Sequence, residues 1–199
     1  VLDVFDTPFA DAGLDDSLCN TYEYTLNGNF PAGRSTGEWI AETANPSVTT
    51  FDDSSINNTT VRGMIEGTYY YYWMVSNGNC ASVVDTVMID VFDSAVSNAG
   101  PDDSLCNVYT YTFNANQPVG RARGLWTVDG ANAPVTFDYD TAFDATITGL
   151  AEGTYIFYWT VSNGSCPDAI DTMVLDVFDT PFADAGLDDS ICDVYTYQF

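Results

Sequence analysis

Apolar and polar side chains alternate in short runs along the chain, and most runs close on Gly, Asn or Asp. Tyr22, Tyr24 and Leu26 alternate with Thr21, Glu23 and Thr25 before Asn27-Gly28 breaks the run. Trp39 in GEWIAE, Val48 to Phe51 and Thr60 to Met64 supply three more. The longest alternation runs from Met64 to Cys80, and Val87, Ile89 and Val91 then alternate with Thr86, Met88 and Asp90. A period of two puts successive side chains on opposite faces of a strand. Strands recurring about every ten residues, with no sustained helical period, predict an all-β sandwich. Asn77-Gly78 and Asn163-Gly164 predict tight type I′ hairpin turns with both residues at positive φ.

The whole series then returns. Val1–Ser17 recurs letter for letter as Val174–Ser190, with a looser copy at Ile89–Ser104. Cys19, Cys106 and Cys192 follow these copies, while Cys80 and Cys166 follow the two long alternations, each at a step of about 86 residues. A period this long is a complete small domain, not one turn of a solenoid. The expected organisation is a last-strand fragment at 1–5, modules at 6–92 and 93–178, and an opening fragment at 179–199. Such a chain reads as a window on a longer array. Phe92 closes one module and Asp93-Ser94-Ala95 opens the next, which leaves no flexible tether. The expected object is a rod of tandem immunoglobulin-like β-sandwich modules, each spanning roughly 30–40 Å.

The five cysteines come with no histidine and no CxxC pair, which excludes zinc. The simplest pairing closes each module on itself, Cys19 with Cys80 and Cys106 with Cys166, leaving Cys192 to a partner beyond Phe199. Loops of that size would stabilise a module by about 3–4 kcal/mol in the chain-entropy picture. Disulfides also imply an oxidising, extracellular setting.

Charge narrows the partners. Twenty-nine acidic residues against four basic ones give a net charge of −25, which repels nucleic acid and anionic membrane surfaces. The same charge keeps an exposed polymer hydrated. No apolar run approaches the ~18 residues that a membrane-spanning helix needs. Without histidine, neither Ser nor Cys has its usual catalytic base, and without lysine no Lys-Asn isopeptide bond can form. Paired carboxylates are explained by the abundance of turn aspartates, so the chain reads as non-enzymatic.

Aspartates gather beside a glycine after each junction: Asp11, Asp15 and Asp16, then Asp102 and Asp103, then Asp184, Asp188 and Asp189. Two readings stand for them. Oxygen-rich loops suit calcium, which would stiffen the joint. Alternatively, aspartate is simply favoured at turns and strand entry.

The apolar-x-x-Gly-Thr-Tyr pattern at Met64–Tyr69 and Leu150–Tyr155 resembles the tyrosine corner of immunoglobulin-like sandwiches. With AGLDDSLC, AGPDDSLC and AGLDDSIC, and with GTYYYYWMVSNGNC and GTYIFYWTVSNGSC, the chain resembles immunoglobulin/PKD-like repeats of giant Bacteroidota surface proteins. Gliding-motility adhesins and secreted surface filaments carry such repeats. The resemblance implies a structural segment on the bacterial cell surface, with neighbouring modules, and other copies in a fibre, as partners. An Asp-Ser/Thr-apolar motif at Ser17, Thr86, Ser94, Ser104, Thr141, Thr172 and Ser190 resembles the O-glycosylation acceptor of the same group. A competing function is a carbohydrate-binding array that grips surface polysaccharide through Tyr70 and Tyr72 and gains by avidity. Polymerisation by strand donation is a third.

Overall fold

A computed structural model describes residues 4–130 and 134–188, with six further positions between 190 and 198. Among the described residues every regular element is a strand, and no helix is long and apolar enough to cross a membrane. The first seven strands are β1 (Asp16–Cys19), β2 (Glu23–Thr25), β3 (Thr36–Ala41), β4 (Thr50–Phe51), β5 (Thr60–Arg62), β6 (Gly67–Ser76) and β7 (Val83–Phe92). They form a four-stranded sheet in the order β1-β7-β6-β3 and a three-stranded sheet in the order β2-β5-β4. The second set repeats the plan with β8 (Asp103–Cys106), β9 (Thr110–Thr112), β10 (Arg123–Val128), β11 (Thr136–Phe137), β12 (Thr146–Thr148), β13 (Gly153–Ser162) and β14 (Ala169–Phe178).

The core lies between the two sheets of each set, as the alternation requires. On β6, Tyr69, Tyr71, Trp73 and Val75 are buried, and on β13 Tyr155, Phe157, Trp159 and Val161 are buried. Trp39 lies opposite Trp73 on adjacent strands with ring centroids 4.9 Å apart, and Trp126 and Trp159 repeat the pair at 5.0 Å. Gly37 and Gly124 stand two residues before Trp39 and Trp126 because a Cβ there would overlap the Trp73 or Trp159 indole. The tyrosine corner is present in both modules. The Tyr69 hydroxyl accepts the Ile65 N–H at 2.8 Å and contacts the Ser47 hydroxyl at 2.7 Å. The Tyr155 hydroxyl accepts the Ala151 N–H at 2.9 Å.

One feature adds to the expectation and another departs from it. The acidic segment after each junction ends in a strand: β1 runs parallel to β7 and β8 parallel to β14, joining the start of each module to its end. The Asn-Gly turns are not type I′. Gly78 and Gly164 have φ of 56° and 55°, but Asn77 and Asn163 are not among the left-handed residues. Each asparagine is instead the first residue of its turn, its carbonyl accepting the N–H of Cys80 or Cys166 at 3.0 Å. Both asparagines are buried, so their side chains serve another purpose.

Candidate functional site: the joint between modules

That purpose lies at the junction. Cys19 ends β1 opposite Phe92, the last residue of β7, and Asn20 follows at φ 55° with its N–H donated to the Phe92 carbonyl at 2.8 Å. The Tyr22 hydroxyl spans Asn20 Oδ1 at 3.0 Å and Asp93 Oδ1 at 2.9 Å, and the Asp93 carboxylate, as hydrogen-bond acceptor, raises the Tyr22 pKa above its ordinary value. These contacts close the end of the first module around the chain as it leaves.

The second module receives that chain with the turn after β13. Asn163 Nδ2 donates to the Asp93 carbonyl at 2.9 Å and to Glu66 Oε1 of the first module at 2.7 Å. Gly164 lies against the Phe92 ring so closely that a Cβ would overlap it. The Arg121 guanidinium covers the ring at 4.3 Å from its centroid and pairs with Asp90 at 3.2 Å. Gly120 leaves the room that Glu66 occupies. Beyond Asp93 the chain stays pinned. Asn116 accepts the Asn98 N–H at 2.7 Å and the Trp159 indole N–H at 3.2 Å on Oδ1, while its Nδ2 donates to the Val96 carbonyl at 2.9 Å. The absence of a flexible tether, expected from the sequence, is thus matched by an ordered set of contacts.

A disulfide completes the joint, and it corrects the expected pairing. Cys19 is bonded to Cys166 of the next module, with Cα atoms 4.9 Å apart across 147 residues of sequence. Cys19 does not pair with Cys80, nor Cys106 with Cys166; Cys80, Cys106 and Cys192 carry free thiols. The sheet explains why. Cys19 sits at the Phe92 end of β7, whereas Cys80 belongs to the turn at the Val83 end. Nine residues of extended strand separate those ends, about 30 Å, whereas a disulfide tolerates less than ~7 Å between Cα atoms. The turn faces the preceding neighbour and the strand cysteine faces the following one.

The remaining expected sites fall as follows. Asp15 and Asp102 accept the N–H groups of Met88 and Val174, each at 2.8 Å, which docks the acidic segments on the last strands. Asp16, Asp103, Asp11 and Asp184 accept nearby backbone N–H groups of Ser17, Ser104, Gly13 and Gly186. Asp188 is exposed, and Asp189 lies outside the described residues. Among the described residues no three acidic or cysteine side chains gather in a cluster able to hold a metal ion. Ser17, Thr86, Ser94, Ser104, Thr141, Thr172 and Ser190 are all exposed. Of the two outward tyrosines, Tyr70 is exposed, while the Tyr72 hydroxyl is committed to Glu42 Oε2 at 2.6 Å, as Tyr158 is to Asp129 at 3.2 Å.

No protein-family model matches the chain, and no curated protein matches it. Solved structures do. Sidekick-1 immunoglobulin domains 1–4 align at TM-score 0.63 and 13% identity, over 87% of this chain and 49% of that one. Extracellular domains 3–5 of Drosophila OTK align at TM-score 0.58 and 15% identity, over 87% of this chain and 61% of that one. A three-immunoglobulin segment of titin aligns at TM-score 0.51 and 13% identity, over 86% of this chain and 66% of that one. The chain therefore spans half to two thirds of the length of these structures. At such identities the likeness concerns architecture alone: the chain is a tandem of immunoglobulin-like β-sandwiches.

Proposed function

We propose that this chain is a structural segment of an extracellular filament or adhesin stalk, of the kind found on bacterial cell surfaces, that supplies reach, stiffness and resistance to pulling and proteolysis. The observation that carries the reading is the joint. A covalent bond, a cation–π contact and a hydrogen bond from the buried Asn163 to Glu66 hold the second module to the first. A binding module with independent partners gains nothing from locking its neighbour, whereas a load-bearing series does. The disulfide supports an oxidising, extracellular location. The exposure of all seven Asp-Ser/Thr-apolar positions supports a glycan coat that would shield the surface.

Small-angle scattering of the oxidised chain tests this. Two modules in line should give a maximum dimension of roughly 60–80 Å with a narrow distribution, from strands of about ten residues. A profile typical of two freely hinged bodies overturns the reading.

A further inference from the structure

The two free thiols of the described modules occupy positions that the Cys19–Cys166 joint already defines. Cys106 ends β8 opposite Phe178, as Cys19 ends β1 opposite Phe92. Asn107 follows at φ 59° and donates its N–H to the Phe178 carbonyl at 2.8 Å. The Tyr109 hydroxyl spans Asn107 at 3.0 Å and Asp179 at 2.8 Å, reproducing Tyr22 with Asn20 and Asp93. This donor half is fully formed, yet Cys106 is exposed and Phe178 is 52% exposed, whereas Phe92 is half-buried beneath Gly164 and Arg121.

The turn bearing Cys80 is the matching acceptor half. Asn77 Nδ2 donates to the Asp6 carbonyl at 2.8 Å, as Asn163 does to that of Asp93. Gly78, at φ 56°, lies against the Phe5 ring, and Arg34 covers that ring at 5.0 Å. Cys80 Sγ lies 3.7 Å from the Phe5 carbonyl, where Cys166 Sγ lies 3.6 Å from that of Phe92. One contact is missing. Asn163 spends its second amide hydrogen on Glu66 of the adjoining module, while the buried Asn77 amide makes no corresponding bond among the described residues. Among the described residues this acceptor half therefore meets neither the carboxylate nor the partner thiol that the adjoining module supplies at the complete joint.

We propose that Cys80 and Cys106 are halves of further inter-module disulfides. Cys106 bonds the turn cysteine of a following module of this repeat, and Cys80 bonds the strand cysteine of a preceding one. Formation is an exchange with an external disulfide, protein-borne or small. One thiolate attacks that oxidant to give a mixed disulfide and releases one of its sulfurs as a thiol. The second module's thiolate then displaces the other sulfur. Two cysteine thiols become one disulfide, and the oxidant, having taken two electrons and two protons, leaves as two thiols. Every joint then has one bond across it and no module has one within it. Unfolding one module then leaves the covalent joints to both its neighbours closed.

The inference rests on the tandem-array part of the proposed function but not on stiffness. The deciding measurement is disulfide mapping of the protein from its native source, alkylated before any reduction and digested without reductant. The expected result is a Cys106 peptide cross-linked to a turn peptide of the Asn-Gly-x-Cys type, and a Cys80 peptide cross-linked to one of the Asp-Ser-x-Cys type from another module. Alkylated Cys80 and Cys106, or bonds of Cys80 to Cys19 and of Cys106 to Cys166, overturn it. A stiff particle in scattering with alkylated thiols would sink this inference alone, and a hinged particle with the expected cross-links would sink only the mechanical reading.

Discussion

Cys19 and Cys166 join two modules whose apolar cores share no residue. The bond constrains how the modules sit, and it also closes a long loop in the unfolded chain. Replacing Cys166 with Ser should leave the strand content of each module unchanged but lower the stability by about 3–5 kcal/mol, because the bond no longer closes a loop in the unfolded chain. The joint should loosen as well. Fluorescence energy transfer between dyes placed on opposite modules should show a wider distance distribution for Cys166→Ser than for the oxidised parent. An unchanged distribution would show that the non-covalent contacts around Phe92 and Asn163 hold the geometry unaided.

Gly164 meets Phe92 in two ways at once. Its φ of 55° disfavours any side chain, and a Cβ would overlap the Phe92 ring. Gly33 separates the two effects, since its φ is 63° and a methyl group there would meet nothing within 4 Å. Gly33→Ala should cost only the backbone strain, about 1 kcal/mol. Gly164→Ala should cost about 2–4 kcal/mol, because overpacking adds to strain. Chemical denaturation of the two variants checks the difference, and equal losses would mean that Phe92 simply moves aside.

Much of this architecture is legible in the residues, and the failures have physical causes. β6 and β13 announce themselves because ten residues alternate without interruption and the corner tyrosine follows Gly-Thr. β1 does not, since Asp-Ser-Leu-Cys offers one large apolar side chain and its partner β7 lies at the far end of the same module, in a parallel pairing. Asn77-Gly78 carries a strong turn signal that is half right. The glycine turns the chain, while the asparagine is buried to hold the chain at Asp6, where its own module begins, a role that no local pattern encodes. The cysteines mislead for a reason particular to repeats. Cys19–Cys80 and Cys19–Cys166 both recur with the same period, so spacing alone cannot choose between bonds within and across modules. Only the direction of β1 chooses.

Asn116 links the segment that follows the joint to the core tryptophan of the second module. Asn116→Ala would strip partners from the Asn98 N–H, the Val96 carbonyl and the Trp159 indole N–H, while the backbone bond from Asn116 to the Asn98 carbonyl stays. With these groups only partly screened from water, the loss should be about 2–3 kcal/mol, confined to the second module. Hydrogen exchange should report faster exchange at Asn98 and in β13 with little change in β6. A uniform change in both modules would contradict the independence of the two cores.

Alkaline pH probes the interior of the first module through Tyr71. Its ring is fully buried, stacked on Tyr69 with centroids 6.2 Å apart and meeting Phe51 edge-on at 5.8 Å. Burial disfavours the phenolate and pushes the Tyr71 pKa up to about 12. In the unfolded chain the same phenol titrates near its ordinary value of about 10. Below that value both states hold the proton, and the full stabilising contribution is present. As pH rises from about 10 to 12 the unfolded chain loses the proton first, so stability falls through that window. The second module has Phe157 at the position that Tyr71 takes on β6, so it lacks this titration. Denaturation followed at about pH 9 and pH 11, either side of the ordinary phenol value, should therefore show the first module losing more stability than the second. Tyr71→Phe should narrow that gap, and a variant as alkali-sensitive as the parent would place the titrating group elsewhere.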